Sequence, residues 1–265
     1  MQPNPSSLEA RYQFHAKLSQ GGMGEVSTAW DTQLKRTVAI KRLKSGGSEL
    51  MHEAMHMASI RHPNIVTVYD IGMDEGNPYI VMEYVNGETI DQRVAKGLLA
   101  IDEFADMANQ IFNGMIAAHH AGLIHRDLKP SNIMLMMLSS GAPQVKILDF
   151  GMAKFVSAPT EQTINIDGTI TGSISWISPE QLNRETVDAR SDLYSLGCVF
   201  YYTLSGVRPF DGVTPTETFT AHLMQKVVPL ERLRPDLPPL LCQWVMALIN
   251  RLPEHRYQSA SEAQS

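Results

Sequence analysis

Between His125 and Asp149 the chain carries two carboxylates, an amide and an ammonium that could serve one reacting centre. Asp127, Lys129 and Asn132 fall within His125-Arg126-Asp127-Leu128-Lys129-Pro130-Ser131-Asn132, and Asp149 opens Asp149-Phe150-Gly151. An amide oxygen converging with a carboxylate suits ligation of Mg²⁺, a hard cation that keeps waters and takes substrate phosphates as further ligands. Asp127 precedes Asn132 on the same loop and could orient a hydroxyl nucleophile. Convergence requires a scaffold, and the sequence supplies one. Apolar runs at Ile133–Leu138 and Val145–Leu148 flank a Ser-Ser-Gly-Ala-Pro turn, the pattern of a hairpin. Such a hairpin holds Asn132 at the start of one strand beside Asp149 at the end of the other.

Upstream, Leu18-Ser19-Gln20-Gly21-Gly22-Met23-Gly24-Glu25-Val26 is rich in glycine, which lets backbone N–H groups approach phosphates without a Cβ in the way. Thr37-Val38-Ala39-Ile40-Lys41 reads as a buried strand ending in a lysine, and Tyr79-Ile80-Val81-Met82 as another strand. Between them Ser48–Ile60 has helical spacing, with Leu50, Ala54, Met57 and Ala58 at intervals of three and four. Glu49 and Glu53 on this helix are both candidate partners for Lys41. Further on, Ile101, Phe104, Ala105, Ala108, Ile111, Phe112, Met115, Ile116 and His119 form an apolar stripe at helical period, a scaffold that delivers the chain into His125. His119 and His120 lack an acidic or cysteine partner at metal-ligand spacing and read as structural. The Thr-rich stretch after Gly151 has the composition of a mobile loop. Asp192 stands at the mouth of a largely apolar helix, a common place for a capping carboxylate.

The 265 residues allow one large domain or two small ones, and 43% hydrophobic with 19% charged residues is ordinary globular composition. A net charge of −6 without a Lys/Arg block argues against a nucleic-acid surface. Cys198 and Cys242 sit in apolar, helix-like stretches and read as reduced core residues, pointing to a cytoplasmic setting. No signal peptide or membrane span is expected, because Met1–Ala10 is polar and the longest apolar run, Leu193–Leu204, is short and interrupted. Residues 1–11 read as a flexible leader.

These motifs resemble, in order and spacing, those of the serine/threonine protein kinases, with bacterial members the most similar. The two central motifs match H-R-D-L-x-x-x-N and D-F-G, the Gly-rich stretch matches G-x-G-x-x-G-x-V with Ser19 at the first glycine, and Val38–Lys41 matches V-A-I-K. The resemblance covers Leu18 to about Ala263. It implies a bilobal α+β fold, with a β-rich small lobe over 12–85 and a mainly helical large lobe over 86–265, its last helix cut short in an excised piece of a longer, membrane-anchored protein.

The resemblance also implies roles. ATP and Mg²⁺ are the expected cofactors. Leu18, Ser19, Gly21, Gly22, Gly24 and Val26 would form the loop over the nucleotide, and Lys41 would pair its α/β-phosphates. The family's E-A-x-x-x-A spacing selects Glu53 as the partner that aims Lys41. Ala39, Met82 and Met134 would line the nucleotide site, with backbone groups of Glu83 and Val85 on the adenine edge. Asp127 would take the substrate proton, Lys129 would steady the γ-phosphoryl group, and Asn132 and Asp149 would hold Mg²⁺. The Asp-Leu-Lys form is that of serine/threonine rather than tyrosine kinases. Thr163, Thr169, Thr171 and Ser173 are expected regulatory hydroxyls, with Arg126 as the cation for a phosphate. The Ser173 hydroxyl would also bond the catalytic aspartate and lysine. Asp192 would anchor the catalytic loop, and Arg256 would pair with Glu180 of Ser178-Pro179-Glu180. Expected partners are protein substrates and a second copy of the chain for trans-autophosphorylation. A pseudokinase scaffold and a small-molecule phosphotransferase are the other classes the sequence admits. The first usually lacks one of the catalytic residues present here, and the second lacks the Pro-Glu segment.

Overall fold

The computed structural model describes residues 8–21, 24–43, 48–150 and 174–265, and among these the side chains outside 21 and 48–53. The chain divides into two compact units, Met1–Asn86 and Gly87–Ser265.

In the first unit a short helix α1 (Leu8–Arg11) leads into β1 (Tyr12–Gly21), β2 (Gly24–Asp31) and β3 (Arg36–Leu43). Helix α2 (Ser48–Ser59), β4 (Val68–Asp74) and β5 (Asn77–Glu83) follow. The five strands form one antiparallel sheet in the order β1-β2-β3-β5-β4. Alternation along β3 sorts its side chains: Val38 and Ile40 are fully buried in a cluster with Leu8, Tyr12, Ala29 and Val81, so Ala39 and Lys41 belong to the other face. The leader expected over 1–11 is therefore ordered in its last four residues. Leu8 fills that core, and the Arg11 guanidinium grips both oxygens of Asp31 at 3.2 and 2.8 Å. Gly24 answers to the sheet itself, because a Cβ there would lie 2.0 Å from the Arg42 carbonyl oxygen.

The second unit opens with β6 (Gly87–Thr89), α3 (Ile90–Ala95) and α4 (Ile101–His120). A 3₁₀ turn at Pro130–Asn132 leads into the hairpin of β7 (Ile133–Met137) and β8 (Pro143–Ile147), which with β6 makes a small sheet in the order β6-β7-β8. After a second 3₁₀ turn, Ile174–Trp176, come α5 (Pro179–Asn183), α6 (Ala189–Ser205), α7 (Pro215–Leu223), α8 (Leu230–Leu233), α9 (Pro239–Leu248) and α10 (Ala260–Gln264). Helix α6 is the axis of the unit, buried at nearly every position from Ser191 to Leu204. Around it Phe104, Phe112, Phe200 and Trp244 pack with ring centroids 5.4–6.5 Å apart, edge-on, tilted or stacked. Pairs of this kind add about 0.5–1.5 kcal/mol each beyond the area they bury. Cys198 and Cys242 are free thiols inside this core. No helix among the described residues is long and apolar enough to cross a membrane.

Candidate active site

The second unit gathers the candidate residues by a chain of backbone bonds. Leu148 donates its N–H to the Asn132 carbonyl at 2.8 Å, which closes the hairpin and sets Asp149, one residue on, against the Asn132 turn. The hairpin expected from the sequence is present, with ends one or two residues from the predicted ones. His125, fully buried, ties the approach to this hairpin. Its Nε2 lies 2.7 Å from the Leu148 carbonyl oxygen and its Nδ1 accepts the Asp127 N–H at 3.3 Å. A carbonyl can only accept, so the proton is on Nε2 and the ring is the neutral tautomer. Burial pushes the His125 pKa down and keeps it neutral, although Asp192, Asp127 and Asp149 pull the other way. The ring also packs on Phe150, centroids 4.5 Å apart. Two backbone positions here are left-handed, Arg126 at φ 67° and Asp149 at φ 58°, conformations that the surrounding bonds must hold in place.

Asp127 is the centre of the side-chain cluster. Lys129 Nζ donates to its Oδ2 at 2.7 Å, and Asn132 Nδ2 donates to the same oxygen at 3.1 Å and to the Asp127 carbonyl at 2.8 Å. With its nitrogen committed to Asp127, the Asn132 amide presents its oxygen elsewhere, as a hard-cation ligand should. Among the described residues no group of three or more His, Cys, Asp or Glu could hold a metal unaided. An amide oxygen and one carboxylate fit an ion that takes its remaining ligands from water and phosphate, which is Mg²⁺ chemistry.

The loop is fastened from beneath and from the side. Asp192, 1% exposed, accepts the N–H of His125 and of Arg126, each at 2.9 Å, and its Oδ2 also lies 2.9 Å from His119 Nε2. It does not cap α6; Asp188 does, accepting the Arg190 N–H at 2.8 Å. His119, read as structural for want of an acidic partner nearby in sequence, has one 73 residues away. From the side, Gln181 Nε2 donates to the Arg126 carbonyl at 2.9 Å. Sequence reasoning passed over Gln181. Its signal was the Ser178-x-x-Gln181 capping pattern, and Ser178 N–H does donate to Gln181 Oε1 at 3.3 Å. The neighbouring Glu180 lies in a bidentate pair with Arg256, at 2.7 and 2.9 Å, both side chains almost wholly buried. Burial works to raise the Glu180 pKa, but the Arg256 bonds and the Ser191 hydroxyl at 2.6 Å outweigh it and hold the pKa below the usual value.

In the first unit the sheet register aligns the nucleotide candidates. Val26 pairs with Lys41 across β2 and β3, and Ala39 with Met82 across β3 and β5, so all four share one face. Lys41 is 6% exposed there. Ser19 is opposite Val26 on the same register, and Gly21 opposite Gly24. Leu18 is exposed, and Val85 is buried. The N–H of Glu83 is taken by the Thr67 carbonyl at 2.8 Å, so Glu83 cannot offer it to a ligand. Met134 belongs to the second unit, on β7, paired with Thr89 and Lys146. Gly22, Thr163, Thr169, Thr171 and Ser173 lie outside the described residues, as does the side chain of Glu53.

Comparison with known proteins agrees on one family. The protein kinase domain profile matches residues 12–263. A probable serine/threonine-protein kinase of Clostridium acetobutylicum is 37% identical over 96% of this chain, and the serine/threonine-protein kinase PknB of Mycolicibacterium smegmatis 38% identical over 97%. The chain spans 39% and 42% of the length of those two relatives. Among solved structures, Rad53 residues 1–466 in complex with AMP-PNP is similar at a TM-score of 0.80, with 25% identity over 96% of this chain and 64% of that one.

Proposed function

The chain belongs to the protein kinase domain family, and from that premise we propose that it transfers the γ-phosphoryl group of ATP to serine or threonine hydroxyls of proteins. The observation that carries this reading is the Asp127 cluster, in which one carboxylate oxygen takes both Lys129 and Asn132. That arrangement fixes the carboxylate in rotation while its Oδ1 has no partner among the described residues. An incoming hydroxyl can hydrogen-bond there and give up its proton as the oxygen attacks phosphorus.

Phosphoryl transfer asks little covalent chemistry of a protein; positioning and charge neutralisation supply most of the acceleration. Lys129 neutralises charge on the transferring group from beside Asp127. Asn132 through its amide oxygen and Asp149 through its carboxylate would hold Mg²⁺, which when bound offsets the charge of the nucleotide phosphates. Lys41 supplies a buried cation on the Val26–Ala39–Met82 face, where Ala39 leaves room for a flat base. With the Glu83 N–H already used, the adenine edge would take its backbone donor from Val85. The AMP-PNP bound to the structural relative supports an adenine nucleotide as ligand. Lys129 in the Asp-Leu-Lys form and the printed names of the relatives support serine and threonine over tyrosine. Glu53 as partner of Lys41, and Thr163, Thr169, Thr171 and Ser173 as targets of a second copy of the chain, belong to the same reading, as does a cytoplasmic setting.

The test is direct. The purified chain, given Mg²⁺, labelled ATP and a generic basic protein, should incorporate phosphate into serine and threonine, and should need Mg²⁺ to do so. Incorporation unchanged by chelation, or absent while the chain is folded, would overturn the reading.

A further inference from the structure

Behind Ile174–Trp176 lies a buried polar pair that no step above uses. His222 on α7 is completely buried, and its Nδ1 lies 2.7 Å from the Tyr194 hydroxyl of α6. Phe210 closes the group, its centroid 4.5 Å from the His222 ring and 5.9 Å from the Tyr194 ring, with the two phenyl planes within 9°. His222 Nε2 has no hydrogen-bond partner among the described residues, and the ring lies beside the backbone of Ile174. A buried ring nitrogen left without a partner is costly, and a fold retains such a group where something answers it.

The pair also reaches the other end of the segment. The Arg256 guanidinium lies over the Tyr194 ring, 4.8 Å from its centroid, and the same guanidinium grips Glu180. Glu180 adjoins Gln181, which holds the Arg126 carbonyl next to Asp127. Tyr194 thus stands between two supports of the 174–181 segment, the Arg256–Glu180 pair at one end and His222 beneath Ile174 at the other.

We infer that His222 is a positioning residue: it seats the Ile174–Trp176 turn from below, with Tyr194 holding the imidazole tautomer whose Nε2–H faces that turn. The seated turn governs how a protein substrate is held against Asp127 and leaves nucleotide binding untouched. This rests on the protein-kinase reading above.

Two substitutions separate the two ring nitrogens. His222→Gln places an amide N–H near the position of Nε2, whereas His222→Asn keeps only a partner for Tyr194. With the Asn variant the KM for protein substrate should rise about fivefold, the value of one hydrogen bond, while the KM for ATP stays within about twofold. The Gln variant should keep the parental KM for protein substrate. Hydrogen exchange over 174–177, read by mass spectrometry, should accelerate in the Asn variant and not in the Gln variant. Exchange needs no turnover, so it speaks even if the parent chain transfers no phosphate and the kinase reading fails on its own assay. Equal exchange in both variants, or an ATP KM that moves with the protein KM, would overturn the inference. So would failure of both variants to fold, since His222 would then serve stability alone.

Discussion

Asp192 and Asp127 lie in the same unit, joined through the loop at His125 and Arg126, and the fold treats them in opposite ways. Asp192 is 1% exposed and both its oxygens are taken, by two backbone N–H groups and a histidine. Asp127 is 20% exposed, and its described partners, Lys129 and Asn132, share one oxygen. A saturated, buried carboxylate can only hold structure, because any new partner must displace an existing one. A carboxylate fixed by one oxygen and open at the other can meet a substrate. Glu180 with Arg256 belongs with Asp192 on the holding side.

The contrast is broken most sharply at Asp127. Asp127→Asn keeps the shape and the hydrogen bond from Lys129 but loses the proton acceptor. Phosphate transfer should fall by about 10²–10⁴ while the thermal midpoint stays near the parental one. A large loss of stability with it would put Asp127 among the holding groups. At Arg256 the expectation reverses. Arg256→Ala leaves Glu180 buried without its cation, which costs about 3–5 kcal/mol of stability as read by urea unfolding.

The smallest effect is one of pH. Burial pushes His222 down to about 4 from an ordinary value of 6.5, opposed only by the Ile174 backbone. The unfolded chain therefore binds the proton first, so this stability is present above pH 6.5 and is lost as pH falls towards 4. Between pH 7 and 5 the parent should lose about 2 kcal/mol more than the His222→Gln variant, measured by urea midpoints at the two pH values. Glu180, its pKa held below the usual value, adds a loss of the same sign at lower pH.

What could be read in advance follows from the range of the interactions. The β7–β8 hairpin and the β3 strand are local patterns, and both were legible. The stripe on α4 was legible in kind but drifted in detail: Ile101 and Ala105 are exposed, whereas Met107, Gly114 and Ala118 are buried. A helix packed against several neighbours buries more than a single stripe, and composition does not say where they sit. Asp192, Glu180 and Arg256 were visible only through family resemblance, because their bonds span 66 to 76 residues. His119–Asp192, Gln181–Arg126 and Tyr194–His222 went unread for the same reason, without a family motif to mark them.

Leu8 and Arg11 have a practical bearing. The family profile begins at residue 12, yet the plug beneath the first sheet and the clamp on Asp31 come from the four residues before it. Trimming the gene to the recognisable domain would strip the five-stranded sheet of its stopper and leave Tyr12 and Val38 facing solvent. A boundary chosen at residue 7 or earlier keeps both.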